Sequence, residues 1–219
     1  ALDYHWLLAG LGVVSILYGT IVAMNQSNLR AMLAYSSISH IGLVILGIAS
    51  YNIQGIQGSI FQLFNFSIIV GGLFLLTGFL HHRTGSTDSI SLGGIANSMP
   101  LLAGFFMLFG MAGLGIPGTN GFAAEHLILL SALQTHTGAG LAALLDVVLA
   151  ASYFLIIYRK AFFGTIHRPV ITESADLLPR ELTLILLLTT LILFTGFFPN
   201  SILDITRGAS ELWLQTIHL

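Results

Sequence analysis

Four ionisable side chains lie within long apolar segments of this 219-residue sequence, namely His40, Glu125, His126 and Asp146. A charge at the centre of a membrane helix costs roughly 2.5–3.5 kcal/mol on insertion scales, so such residues face protein or water and mark ion pathways. Carboxyl and imidazole groups can both take up and release a proton. The chemistry that these residues predict is therefore proton transfer within a membrane.

A hydroxyl group lies close to the first of these residues. Ser36 precedes His40 by four positions, which puts both side chains on one face of a helix. An imidazole beside a serine that holds water is suited to relay a proton, which is one interpretation of His40. The alternative, with equal weight, is a histidine that only packs against a neighbouring helix. Arg30, near the end of the same apolar segment, is either part of the pathway or a solvated anchor.

Glu125 follows a segment that interrupts its helix. Residues 115–121 carry the helix-breaking residues Gly115, Pro117, Gly118 and Gly121. Broken membrane helices place unpaired backbone groups near the bilayer midplane, which favours an ion site there. We therefore predict that Glu125 carries a proton, with a carboxyl neutralised by a neighbouring subunit as the alternative.

The remaining two ionisable residues allow less definite predictions. His126 points about 100° away from Glu125 around the helix, toward another part of the bundle. Asp146 is either a second carboxyl on the pathway or the partner of a residue on another subunit. The histidine spacing predicts no metal site, and the sequence has no cysteine to hold zinc or an iron–sulfur cluster. We predict no catalytic residue and no ATP-binding loop.

The composition indicates which elements position these residues. Hydrophobic residues make up 55% of the chain and charged residues only 7%, against about 25% charged in a soluble domain. A net charge of −2 gives no basic surface for nucleic acid. We therefore predict an all-α, polytopic membrane helix bundle with lipid around it.

Long apolar stretches between polar segments define six predicted spans. They cover residues 5–24, 29–50, 56–80, 100–114 joined to 122–133, 138–158 and 182–198. The fourth span is the one broken at 115–121. We predict a transmembrane bundle over residues 1–199 and an amphipathic tail at the membrane interface over 200–219.

The loop charges support this span count. Six basic residues fall on one side of the predicted membrane, namely Arg30, Arg83, Arg159, Lys160, Arg168 and Arg180, and Arg207 falls on the other. The positive-inside rule then puts the basic side in the cytoplasm, matrix or stroma. Two complete crossings in place of the broken span would abolish this asymmetry. Ala1 and the lack of a basic n-region indicate a processed, split or truncated chain rather than a signal peptide.

Several motifs carry a resemblance to a known family. Residues 28–42 read NLRAMLAYSSISHIG, which resembles the D-[IL]-K-R-x-[IL]-A-Y-S-S-[VI]-S-H-x-G run of the antiporter-like subunits of respiratory complex I. Residues 113–122, GLGIPGTNGF, with Glu125, resemble that family's broken helix, and residues 158–164 and 180–182 resemble its late helices. The resemblance covers essentially the whole chain. The superfamily also includes Mrp-type cation/proton antiporters and membrane-bound hydrogenases.

The resemblance implies a fold and a role. A glutamate at the position of Glu125 is typical of the subunit M (chain 4) branch, in which it carries the pumped proton. The family fold has fourteen spans with two inverted five-helix repeats, and the six spans here resemble the last six. The resemblance implies that this chain holds no cofactor. NADH, FMN, iron–sulfur clusters and quinone would lie on partner subunits, and another chain would hold the missing N-terminal spans.

Three residues depart from the family pattern. Arg30 replaces a lysine and holds its proton far more firmly. Phe66 stands where the resemblance implies a histidine, with Asn65 and water as candidates to take over its role. Asp146 stands where the family commonly has a small or apolar residue, and it is a candidate to compensate for the lost histidine.

The predicted function is that of a non-redox, proton-translocating membrane-arm subunit of an NADH:quinone oxidoreductase-type enzyme. It would lie in a bacterial cytoplasmic membrane or an energy-transducing organelle membrane. The alternatives are an Mrp-type antiporter or ion-coupled bicarbonate-uptake subunit, and a structural half-subunit with a vestigial proton path. A membrane cytochrome with His40 and His126 as axial haem ligands is a further alternative.

Overall fold

Helices form almost the whole structure, a computed structural model that describes residues 4–166 and 168–218. In chain order they are α1 (His5–Met24), α2 (Leu29–Ala49), α3 (Ile53–Thr84), α4 (Ile95–Ser98), α5 (Pro100–Gly113), α6 (Asn120–Thr135), α7 (Thr137–Phe162), α8 (Pro169–Glu173), α9 (Pro179–Phe197) and α10 (Asn200–His218). Within the described part of the chain, five helices are long and apolar enough to cross a membrane: α1, α2, α3, α7 and α9. The predicted all-α membrane bundle is confirmed.

The sixth crossing is broken, as predicted. Helices α5 and α6 have 14 and 16 residues, so each is shorter than the roughly 20 residues that a bilayer core requires. Residues 114–119 join them, with Gly115 at φ +64° and Gly118 at φ +93°. These left-handed conformations explain why glycine stands at both positions. Together the two half-helices replace one continuous span.

The break is shorter than the predicted 115–121. It begins at residue 114 and ends at Thr119, and Gly121 lies in the first turn of α6. A side chain on Gly121 would collide with the carbonyl oxygen of Ala112 on α5. Gly121 therefore serves close packing between the two half-helices, and only Gly115 and Gly118 of the predicted glycines supply the turn.

Helices α1 and α2 touch through their backbones. A Cβ atom at Gly19 would lie 2.6 Å from the amide nitrogen of Ser39, and one at Gly42 would lie 2.8 Å from the carbonyl oxygen of Gly12. Small residues permit such close approach, which van der Waals contact then stabilises in lipid. This contact brings the residue after Gly19, Thr20, against α2.

The loops at the basic end of the bundle hold several helix ends together. The Arg83 guanidinium, at the end of α3, donates to the Glu181 carboxylate on α9 and to the carbonyl oxygens of Ala175 and Asp176. The Asp176 carboxylate accepts hydrogen bonds of 2.7 and 3.1 Å from the first free backbone amides of α5, those of Leu101 and Leu102. These contacts fix the ends of α3, α5 and α9 relative to one another.

The C-terminal segment forms a single helix that returns to the bundle. Gln57 on α3 donates to the carbonyl oxygen of Leu203 at 3.0 Å. The rings of Tyr51 and Trp213 are parallel, with centroids 6.3 Å apart. Ile205 and Leu212 are exposed on α10. This helix therefore packs at the opposite end of the bundle from the basic loops and presents apolar side chains outward.

Candidate functional site

A buried acid and a buried imidazole meet at the broken helix. Glu125 lies in the second turn of α6 and is 6% exposed, and His40 lies at the middle of α2 and is 8% exposed. Their closest atoms, His40 Nδ1 and Glu125 Oε1, are 3.6 Å apart. The structure thus brings together the two residues that the sequence marked for proton transfer, at a separation that a small movement would turn into a hydrogen bond.

Gln62 on α3 completes this cluster, and sequence reasoning missed it. Its Nε2 lies 3.4 Å from His40 Nδ1 and 3.4 Å from Glu125 Oε1. A buried amide in an apolar helix was the available signal, but only the packing of α2, α3 and α6 shows which groups it meets. We refer to His40, Gln62 and Glu125 as the acid–imidazole cluster.

Phe66 occupies the position of the implied histidine one turn after Gln62. Its ring packs on the imidazole of His40, with centroids 4.1 Å apart. The amide of the neighbouring Asn65 donates to the carbonyl oxygen of Asn120 at 2.8 Å, and its buried Oδ1 has no partner among the described residues, so its role in place of the histidine stays a prediction. Gln62 is the polar group of α3 that contacts His40.

The helix break leaves space for the Glu125 carboxyl. A Cβ atom at Gly115 would collide with Glu125 Oε2. Gly196 on α9 packs against the backbone of Thr119 and Asn120, with a Cβ position 2.6 Å from the Thr119 carbonyl carbon. The backbone at Gly115 therefore lies against the carboxyl, and the backbone at Gly196 lies against the break.

A small cavity of about 30 Å³ adjoins His40. Ser36, His40, Phe66 and Tyr153 are among the residues that line it. This volume is sufficient for one or two water molecules. The Ser36 hydroxyl donates to the carbonyl oxygen of Leu33 at 2.9 Å and also pairs with Tyr153, which leaves one lone pair of its oxygen to accept from water. The predicted pairing of Ser36 with His40 on one face thus has a hydratable space beside it.

Asp146 lies in a second polar cluster, beside the first. It is 3% exposed, and Ser39 Oγ donates to its Oδ2 at 2.7 Å while Thr20 Oγ1 donates to its Oδ1. Both carboxyl oxygens thus have partners within this chain, on α1 and α2. These partners lie within this chain, and the role of Asp146 on the pathway or against another subunit stays a prediction. Ser39, however, directly precedes His40.

Removal of these hydrogen bonds is expected to weaken the bundle. Asp146→Leu leaves the hydroxyls of Thr20 and Ser39 without their acceptor, at a cost of about 1–2 kcal/mol for two interhelical hydrogen bonds. We expect less assembled complex on a native gel. Asp146→Asn retains an acceptor oxygen and should assemble nearly as the unmodified chain does. Equal amounts of assembled complex for both variants would show that the two hydrogen bonds do not stabilise the bundle.

Arg30 and His126 lie apart from both clusters. Arg30 is exposed in the first turn of α2, at the basic end of the bundle. His126 is exposed on α6, with its ring 5.5 Å from that of Phe122. Because His40 is buried against Glu125, the two histidines do not face a common haem position.

Comparison with protein-family models gives one match over most of the chain. Residues 1–159 match the family described as NADH:quinone oxidoreductase/Mrp antiporter, TM.

Curated relatives are similar over nearly the full chain. It is 39% identical over 201 residues to NADH-quinone oxidoreductase subunit M of Rickettsia prowazekii, covering 92% of this chain and 41% of that protein. It is 36% identical over 207 residues to NADH-ubiquinone oxidoreductase chain 4 of Chondrus crispus, covering 94% of this chain and 42% of that protein. The chain thus spans about two fifths of the length of these relatives.

Solved structures share the fold. A chain of respiratory complex I from Thermus thermophilus with bound NADH matches with a TM-score of 0.88 and 31% identity, over 96% of this chain and 45% of that one. A chain of the Mrp complex from Dietzia sp. DQ12-45-1b matches with a TM-score of 0.86 and 23% identity, over 95% of this chain and 47% of that one. The second likeness concerns the fold alone.

Proposed function

This chain belongs to the NADH:quinone oxidoreductase/Mrp antiporter transmembrane family, and we propose that it is a proton-translocating membrane-arm subunit of an NADH:quinone oxidoreductase-type complex. The observation that carries this proposal is the buried acid–imidazole cluster at a broken membrane helix, where His40 Nδ1 and Glu125 Oε1 are 3.6 Å apart. Charged groups within a membrane are costly, so a buried pair of protonatable groups suits proton transport better than packing alone.

In the proposed mechanism Glu125 loads and releases the transported proton. The acid gives a proton directly to His40 and becomes a carboxylate beside an imidazolium. The Gln62 amide donates to whichever of these groups is the acceptor, since its Nε2 lies 3.4 Å from both. NADH oxidation and quinone reduction on partner subunits would supply the energy by changing the field along the membrane arm.

The other sequence candidates have different places in this proposal. Ser36 holds water in the cavity beside His40. Asp146 ties α1, α2 and α7 together through Thr20 and Ser39. Arg30 and His126 are exposed outside the clusters, so we assign no step of the transfer to them.

The partners follow from the length of the match. Because the chain covers 41% of the subunit M of Rickettsia prowazekii, we propose that further spans of the assembly, including those that correspond to the rest of that protein, surround this bundle. The exposed apolar side chains along α1, α7 and α9 are the surfaces for these spans and for lipid. We place the basic loops on the cytoplasmic, matrix or stromal side.

The sequence identities to known proteins favour the quinone oxidoreductase proposal over the Mrp-type alternative. Two relatives named as quinone oxidoreductase subunits are 39% and 36% identical to this chain, whereas the Mrp structure is 23% identical. A haem-binding role has less support, since His40 is buried inside the bundle whereas His126 is exposed on its outside.

The direct test is proton translocation by the assembled complex in proteoliposomes, with and without Glu125→Gln. A pH-sensitive dye reports the protons that are moved while quinone reduction is followed in parallel. Dependence of the transport on sodium in place of protons would favour the Mrp-type alternative.

A further inference from the structure

Helix α7 carries a regularly spaced row of polar residues. Asp146, Tyr153 and Lys160 are separated by seven positions each. Seven residues make nearly two helical turns, with a drift of only about 20° per heptad, so the three side chains share one face. The row runs about 10 Å per step, from Asp146 in the bundle to Lys160 near the basic end.

A larger cavity opens at the basic end of this row. Its volume is about 300 Å³, and its lining includes Asn25, Gln26, Ser27, Ser89, Tyr153 and Lys160. Half of its twelve lining residues are polar, and most of those six lie in the loops or at the last turn of a helix. We refer to this space as the vestibule.

Tyr153 borders both the vestibule and the small cavity beside His40. Met32 and Tyr153 line the two spaces in common, whereas His40 and Ser36 line only the inner one. Tyr153 itself is buried. Tyr153 therefore contributes to the lining of both the space at the basic face and the space next to the acid–imidazole cluster.

A second tyrosine on the same helix shows the difference between the two positions. The hydroxyl of Tyr158 donates to the carbonyl oxygen of Ala103 at 3.0 Å, which is the usual arrangement for a tyrosine packed among helices. Tyr153 instead pairs with the Ser36 side chain and lines two cavities. A phenolic hydroxyl both donates and accepts, so it can pass a proton between waters without a net change of charge.

We propose that Tyr153 is a proton-uptake relay, through which protons from the vestibule at the basic face reach His40 and Glu125. The Tyr153 oxygen accepts a proton from vestibule water as its own hydroxyl proton passes to water in the inner cavity, and rotation of the hydroxyl then restores the starting state. This inference rests on the proposed function, because it supplies the proton that Glu125 carries. It gives this half of the bundle its own access to the basic side.

The test uses Tyr153→Phe in the assembled complex, with Tyr158→Phe as the matched control. Loss of the relay hydroxyl should slow proton translocation by about tenfold or more and increase its solvent deuterium isotope effect. Tyr158→Phe removes a hydroxyl from the same helix and should change neither measurement. Tyr153→His, which again donates and accepts, should restore translocation.

The outcomes separate this inference from the proposed function. If Tyr153→Phe translocates protons normally while Glu125→Gln does not, the relay is wrong and the proposed function stands. If both variants translocate normally, both proposals are wrong. An unchanged isotope effect in a slow Tyr153→Phe variant indicates a packing defect and also overturns the relay.

A second measurement leaves Tyr153 intact and decides the matter if its variants fail to assemble. Since this chain has no native cysteine, a thiol can be placed singly by Ser27→Cys in the vestibule. A bulky, membrane-impermeant thiol reagent applied from the basic side should then block translocation. The control is Thr172→Cys, at an exposed position in α8 outside the vestibule lining. Equal translocation by both labelled proteins would overturn the vestibule as the uptake route.

Discussion

Replacement of Glu125 by glutamine is expected to reduce proton transfer through this chain by about a hundredfold, the size typical for loss of a positioned acid–base group. Glutamine is nearly isosteric and keeps an oxygen that can accept from Gln62, so the bundle should assemble normally. The glutamine side chain, however, cannot bind and release the transported proton. The loss should appear in proteoliposomes either as fewer protons moved per quinone reduced or as slower coupled turnover.

The matched control for this variant is Glu173→Gln. Glu173 is an exposed carboxylate in α8, on the basic loops, so its replacement makes the same chemical change away from the cluster. We expect translocation by this control to equal that of the unmodified chain. Unchanged translocation with Glu125→Gln would show that the buried carboxyl is vestigial and would favour the structural half-subunit.

Replacement of Gly19 by valine is expected to have the largest effect on assembly. The first added atom, Cβ, would lie 2.6 Å from the amide nitrogen of Ser39 and 2.8 Å from the carbonyl oxygen of Tyr35. Both contacts are with backbone, which cannot rotate away, so α1 and α2 must separate. Overpacking of this kind costs about 1–3 kcal/mol or more. The separation would also break the contact of Thr20 with Asp146, and we expect a large decrease in assembled complex on native gels.

Gly10→Val provides the control for this prediction on the same helix. No atom lies within 4 Å of a Cβ at Gly10, so this variant makes the same substitution without a collision. It should assemble as the unmodified chain does. Similar amounts of complex for Gly19→Val and Gly10→Val would mean that the α1–α2 contact does not limit assembly.

The positions of the spans could be predicted closely from the sequence. The predicted first span, 5–24, has the bounds of α1 (His5–Met24), and the third, 56–80, lies inside α3 (Ile53–Thr84). A membrane requires about 20 consecutive apolar residues in a helix that satisfies its own backbone, so the apolar pattern and the helix coincide. The end of the break was less accurate, because Gly121 reads as a helix breaker until its packing on Ala112 is seen.

The sequence also marked most of the ionisable residues of the site without showing how they combine. The apolar residues around Glu125 and His40 singled them out, because an ionisable group in a membrane span is costly and therefore indicates a function. The sequence did not indicate Gln62, since an uncharged amide carries a weaker signal. It left Asp146 with two interpretations, and only the structure identifies Thr20 and Ser39 as its partners.

By itself, then, the sequence determined the number of crossings, the broken helix and the presence of buried acids, because each follows from local composition along one segment. Tertiary structure alone decided which groups meet. Asp146 bonds to residues 126 and 107 positions away, and Gln62 reaches Glu125 across 63 positions. The placement of Tyr153 between two cavities likewise depends on how the helices pack. Such contacts arise from close packing at glycines such as Gly19, which the apolar pattern of a single span does not record.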